Sequence, residues 1–135
     1  MKTGVACFVG TVLLAVAVSA ANQQGSTKST RDGVYSKAQA ERGGSAFEMQ
    51  CIACHADPKF GPSVIDNSDG APVAELFQFM STAMPEDNPG SLRPGQYADI
   101  LTYFFSLRGL PTGETELVPD VEVLKQIRIE KPLEG

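Results

Sequence analysis

The chain has 135 residues, 42% of them apolar, 7% aromatic and 20% charged, with no tryptophan and a single histidine. That length suits one domain rather than two independent cores, and the apolar content is too high for a disordered chain. Sixteen acidic against 11 basic residues give a net charge of −5, which argues against a nucleic-acid binder, because phosphate recognition needs a basic face.

Residues 1–20 read as an export signal and not as part of the fold. Lys2 supplies the positive start, residues 5–18 are almost continuously apolar, and Val18-Ser19-Ala20 places small residues around a cut after Ala20, or after Ala21. The apolar run is shorter than the ~20 residues a helix needs to span a bilayer, so no membrane span is expected after cleavage. Loss of Lys2 and Cys7 would take the net charge from −5 to −6 and the cysteines from 3 to 2. Export into an oxidising compartment, the periplasm, is the expected localisation.

Residues 21–34 are polar and rich in Gly, Ser and Thr, which predicts a flexible leader, with order beginning near Val34 or Tyr35. A first helix is predicted over 36–50, with Ser36 as N-cap and Gly43, Phe47 and Cys51 on one face. Residues 57–71 hold Pro58, Gly61, Pro62, Asn67, Asp69 and Gly70, a density of breakers that predicts a loop. Pro72 stands where a first-turn proline would, and Val73, Leu76, Phe77 and Met80 follow with helical spacing. That second helix must stop before Pro85, because the residue before a proline is driven out of the helical region.

After a Pro/Gly-rich loop, a third helix is predicted over 94–108, with Tyr97, Ile100, Leu101, Phe104 and Leu107 as its buried stripe and Gly109 and Pro111 as its stop. Residues 119–127 suggest a short helical turn, and residues 127–130 alternate, so the tail could instead lie extended. The organisation expected is therefore a signal over 1–20, a leader over 21–34, a domain over 35–117 and an extension over 118–135 that packs on the domain or trails from it.

One motif carries chemistry: Cys51-Ile52-Ala53-Cys54-His55, a C-x-x-C-H. Three positions separate the thiols, which puts both on one side of a helical turn. Each can add across a vinyl group of haem, and the adjacent imidazole can then ligate the iron. Zinc is the weaker reading, because two cysteines and one histidine fall short of four protein ligands. A thioredoxin-like dithiol would need a βαβ frame that the pattern lacks, and a local disulfide would leave His55 without a role.

The sixth iron ligand decides between electron transfer at a closed site and ligand or peroxide chemistry at an open one. No second histidine exists. Met1 leaves with the signal, and Met49 lies too close to the motif to reach the far face of a haem. Met80 and Met84 remain. Met80 shares the apolar face of the second helix, which suits a core residue, whereas Met84 precedes Pro85 on a stiffened loop that can present a thioether. Met84 is the favoured ligand and Met80 the alternative.

At this point the chain resembles the class I c-type cytochromes, in particular small bacterial mono-haem ones, over roughly residues 35–117. Beyond CIACH, the resemblance rests on Gly43-x-x-x-Phe47-x-x-x-Cys51, on Gly61-Pro62-Ser63-Val64, on Met84-Pro85 within AMPEDNPGSL, and on Ile100 and Tyr103 within YADILTYFFS. It implies an all-α cytochrome c fold, three or more helices around one covalent haem c. Gly43 would permit a close crossing of the first and last helices, with Phe47 packed in it against Ile100 and Tyr103. The carbonyl of Pro62 would orient the His55 imidazole, with Pro58 the alternative. His55 and Met84 would be the iron ligands, and Cys51 and Cys54 the attachment points.

Phe47, Phe77, Phe79, Tyr97, Tyr103, Phe104 and Phe105 are candidate haem walls, and Arg93, Lys59 and Gln96 candidate propionate partners. The function implied is an electron carrier, or the cytochrome subunit of a dehydrogenase, and not an enzyme in itself. It would shuttle single electrons from a periplasmic dehydrogenase, of the quinoprotein kind, to an oxidase or other acceptor. A haem-c ligand-binding or peroxidase-like protein is the alternative.

Overall fold

The computed structural model describes residues 28–133, so the expected signal and the first half of the expected leader lie outside the described residues. Ser36 has extended backbone (φ −90°, ψ 155°), and its hydroxyl accepts the Gln39 N–H at 3.1 Å. That contact satisfies one of the amides a helix start leaves open and begins helix α1, Lys37–Gln50. Helices α2 (Phe60–Asn67), α3 (Val73–Ala83), α4 (Pro94–Leu107) and α5 (Val121–Leu124) follow. The class is all-α, with a single two-residue strand pair among the described residues, β1 (Lys28–Ser29) and β2 (Ile127–Arg128).

The frame is the crossing of α1 and α4. A β-carbon on Gly43 would lie 1.8 Å from the Asp99 carbonyl oxygen, so the two backbones touch where only glycine fits. One turn on, the Phe47 ring packs against Tyr103 (centroids 5.7 Å apart) and edge-on against Phe104 (5.5 Å). Ile100, Leu101 and Phe105 are fully buried behind them. Arg42, at the edge of the crossing, pairs with Asp99 and Glu116. The predicted contact set around Gly43, Phe47 and Tyr103 is the one that forms.

Three local expectations need correction. The predicted loop over 57–71 contains α2. Its breakers sit where they do little harm: Pro62 is only the third residue of the helix, and the first four amides of any helix have no intrahelical acceptor to lose. Gly61 lets α2 close on α4, since a β-carbon there would lie 3.0 Å from Leu107 and Phe104 side-chain atoms. Pro72 is the N-cap of α3 (φ −62°, ψ 140°) and not its first helical residue. Finally, structure begins earlier than Val34. Lys28–Ser29 form β1, Thr30–Asp32 make a 3-10 turn, and Thr30 is fully buried.

The two ends of the described chain clasp each other behind α3. β1 and β2 pair in parallel, Lys28 opposite Ile127 and Ser29 opposite Arg128. The Thr30 hydroxyl donates to the Glu130 carbonyl (2.8 Å) and accepts the Glu130 N–H (2.9 Å). The tail also bonds the α2–α3 connection, through Gly70 N–H to the Ile129 carbonyl (2.7 Å) and Ile129 N–H to the Ala71 carbonyl (2.8 Å). Leu124 and Ile129 are fully buried, so the extension is packed on the domain.

Farther along, Tyr35 donates its hydroxyl to the Leu110 carbonyl (2.7 Å), and burial pushes its phenol up to about 12. The buried Gln39 side chain meets both backbone groups of Leu117, donating to its carbonyl (2.9 Å) and accepting its N–H (2.7 Å). Gln39→Ala leaves both groups unpaired in a dry site. It is expected to lower stability by about 2–4 kcal/mol, read as an earlier urea midpoint at unchanged slope.

No helix among the described residues is long and apolar enough to cross a membrane.

Candidate cofactor site

The C-x-x-C-H motif begins at the end of α1. Cys51 is its C-cap, and the Cys51 carbonyl accepts the N–H of both Cys54 (3.1 Å) and His55 (2.9 Å). Those bonds make one further helical turn, which fixes the two thiols and the imidazole relative to one another. Both cysteines are free; Cys51 is half-buried and Cys54 exposed. Burial, and secondarily the neighbouring Cys54, push the Cys51 thiol above its ordinary value. The imidazole of His55 lies flat on the Phe60 ring, centroids 4.0 Å apart and planes 19° from parallel. Phe60 in turn meets Phe104 edge-on (5.8 Å) and stacks near Phe47 (6.3 Å). The histidine is thus oriented by an aromatic column rooted in the α1–α4 crossing.

These groups open onto a cavity of about 460 Å³, within the size of small-molecule and cofactor sites. Cys51, Cys54 and His55 contribute from the motif, Phe60 and Val64 from α2, and Ile100 and Phe104 from α4. Leu76, Phe79 and Met80 contribute from α3, and Met84 to Asp87 from the loop after it. Met84 caps α3 in extended backbone (φ −122°, ψ 152°), as the following proline predicts. Its N–H donates to the Met80 carbonyl (3.1 Å), and its own carbonyl accepts the Tyr97 hydroxyl (2.7 Å) and, at 3.3 Å, the Gly90 N–H.

The residues present fit a haem. The walls are apolar, the two thiols stand beside the imidazole at the rim, and two thioether sulfurs line the same space. Among the described residues no grouping of three or more His, Cys, Asp or Glu side chains is placed to hold a metal ion by itself.

The sequence-derived candidates divide clearly. Cys51, Cys54, His55 and Met84 are brought to one cavity, and Met80 joins them. Met49 is 72% exposed and outside the lining. Pro62 lies in the first turn of α2, partly buried and outside the lining. Of the candidate walls, Phe47, Phe79 and Phe104 line the cavity, whereas Phe77 and Phe105 are core. Neither Arg93 nor Lys59 nor Gln96 reaches it; Gln96 accepts the Arg93 N–H at the start of α4 (3.1 Å). No lysine or arginine lines the cavity, and its charged lining residues are Glu86 and Asp87.

Phe60 is the principal residue that sequence reasoning missed, because it fell in the predicted loop. The available signal was an aromatic five residues past the histidine, opening a segment whose proline could be read as first-turn.

An all-helical fold closed by a glycine-mediated crossing of first and last long helices, with C-x-x-C-H at the mouth of an apolar cavity, defines a cytochrome c fold of class I. Residues 38–104, about half of the chain, match the family model described as cytochrome c oxidase, cbb3-type, subunit III, and this segment is a cytochrome c domain. No curated protein and no solved structure matches the chain. A cytochrome c domain implies covalent haem c and supports a haem-containing electron-transfer protein.

Proposed function

We propose that the protein is a mono-haem electron carrier of the periplasm, with His55 and Met84 as axial ligands and thioether links at Cys51 and Cys54. The observation that carries this reading is that the motif and Met84 line one apolar cavity although 29 positions separate His55 from Met84. Haem c held this way supplies one-electron exchange at its iron, and a histidine with a thioether favours the reduced state. The chain's own residues do the rest. Cys51 and Cys54 anchor, Phe60 orients the imidazole by stacking, and the Pro62 carbonyl is the proposed acceptor behind it. Phe47, Val64, Leu76, Ile100 and Phe104 keep water from the walls.

Met84 is preferred to Met80 on position. Met80 lies within α3 and is 8% exposed, packed with Phe77 and Val73 in the core. Met84 stands beyond the helix end, where its side chain is free of helical constraint. Met84→Ala is expected to abolish the methionine–iron absorption band and lower the reduction potential. Met80→Ala should keep the band and cost about 2–4 kcal/mol of stability through the lost packing. The reverse pattern in the two spectra would move the ligand to Met80, and fast, complete binding of carbon monoxide by the reduced wild type would favour an open-site protein instead.

In this reading the electron donor is a periplasmic dehydrogenase and the acceptor an oxidase or other redox protein. The name of the matched family, a terminal-oxidase subunit, supports the oxidase end of that chain. Glu86 and Asp87 at the cavity, with no basic lining residue, favour a partner that presents lysines or arginines, through a small and transient interface whose on-rate falls with salt. The amino-terminal signal pattern supports the periplasmic location.

A further inference from the structure

We propose that Tyr97 is a positioning residue for the axial methionine: its hydroxyl ties both ends of the 84–92 loop to α4 and so fixes where the Met84 sulfur is presented. The inference rests on Met84 being the ligand, as proposed above.

Tyr97 lies in the first turn of α4 and is 2% exposed. Its hydroxyl donates to the Met84 carbonyl at 2.7 Å and accepts the Leu92 N–H at 3.3 Å. One phenolic oxygen therefore joins the residue that enters the loop to the residue that leaves it. The loop has its own short bonds, Asn88 N–H to the Pro85 carbonyl (3.0 Å) and Gly90 N–H to the Met84 carbonyl (3.3 Å). Those close the ring upon itself without attaching it to the rest of the protein. The Met84 N–H is held by the Met80 carbonyl of α3 (3.1 Å).

The consequence is mechanical. Met84 is gripped on its amide side by α3 and on its carbonyl side by α4, so its Cα is fixed and only the side-chain torsions remain free. Without the hydroxyl, the carbonyl side is held only by the loop's own Gly90 amide, and the Leu92 N–H loses its acceptor in a partly buried site. The loop then gains freedom to carry the sulfur away from the cavity. A phenylalanine at 97 keeps the ring packing and removes only this tether.

The test uses the full-length, haem-loaded protein. Imidazole is titrated into the oxidised form of four proteins: wild type, Tyr97→Phe, Met84→Ala and the double variant. Loss of the methionine–iron band, or the Soret shift where that band is absent, reports displacement. Tyr97→Phe should bind imidazole about tenfold more tightly than wild type at equal covalent haem content, the scale of one lost hydrogen bond. In the Met84→Ala background the same substitution should leave imidazole affinity unchanged, because there is no sulfur left to position. A purely structural tyrosine would loosen both backgrounds alike, and that result overturns the proposal, as does an unchanged affinity for Tyr97→Phe alone.

If Met84→Ala itself keeps the methionine–iron band, the ligand assignment has failed, and the positioning role falls with it. Should Tyr97→Phe yield too little haem-loaded protein, hydrogen exchange of the wild type decides. The Leu92 amide should be protected, and exchange at the rate of an open loop would sink the idea.

Discussion

Replacing Cys51 and Cys54 together with alanine is expected to leave no covalently attached haem. After denaturing electrophoresis, haem staining should fall to background, while the wild type stains strongly. Each single substitution should retain at most a small fraction, because one thioether leaves the group tethered at one edge. The geometry explains the size of the effect. Both sulfurs project from one turn, pinned by two bonds to a single carbonyl, beside the only histidine in the chain. No other cysteine among the described residues could substitute. Equal staining in the double variant and the wild type would contradict the attachment outright. The loss should also destabilise the fold, because a haem seated in the cavity of about 460 Å³ would contribute binding free energy to the native state alone.

The second large effect is steric. Gly43→Val is expected to destabilise the protein by about 4 kcal/mol or more, among the largest costs a single substitution produces. A β-carbon there meets the Asp99 carbonyl oxygen at 1.8 Å and the Asp99 carbonyl carbon at 2.4 Å. Those are backbone atoms in a buried helix, with no rotamer to move out of the way, so α1 and α4 must separate. Separation unstacks Phe47 from Tyr103 and Phe104 and loosens the aromatic column behind His55. Gly95→Ala is the control, since nothing lies within 4 Å of a β-carbon at that position. It should shift the urea midpoint little in either direction. Comparable destabilisation in the two variants would mean that the clash at the crossing is not its cause, since helix propensity alone favours alanine over glycine.

How far the molecule was legible in its residues depends on the range of the forces involved. The starts and stops of α1, α3 and α4 are local matters. A serine before an alanine-rich run, a proline after Met84 and a glycine after Arg108 were enough to place them to within a residue or so. The motif at 51–55 is also local, so its chemistry could be read directly. Helix α2 was missed because Pro62 and Gly61 were counted as breakers without regard to their place. At the second and third positions of a helix neither costs much, and the burial of Ile65 and the contact of Gly61 with α4 supply what propensity withholds. Phe60, and with it the orientation of His55, went unseen for the same reason.

The association of the two termini was illegible for a different one. Lys28 and Ser29 are polar and unremarkable alone, and they become a strand only because Ile127 and Arg128, about a hundred residues away, supply the partner edge. The roles of Tyr97 and Gln39 likewise depend on carbonyls and amides that the fold delivers from elsewhere.

That joining of distant ends bears on the order in which the molecule assembles. Thr30 and Glu130 close a loop that embraces nearly the whole described chain, and the chain entropy of such a closure is recovered only after intervening elements have met. The α1–α4 meeting must come first, since it shortens the effective distance between the two ends. The clasp of β1, β2 and Thr30 is therefore expected to form after the rate-limiting step of folding. Weakening it should hasten the opening of the native state while leaving the refolding rate nearly untouched, so that these few residues govern lifetime more than speed of formation.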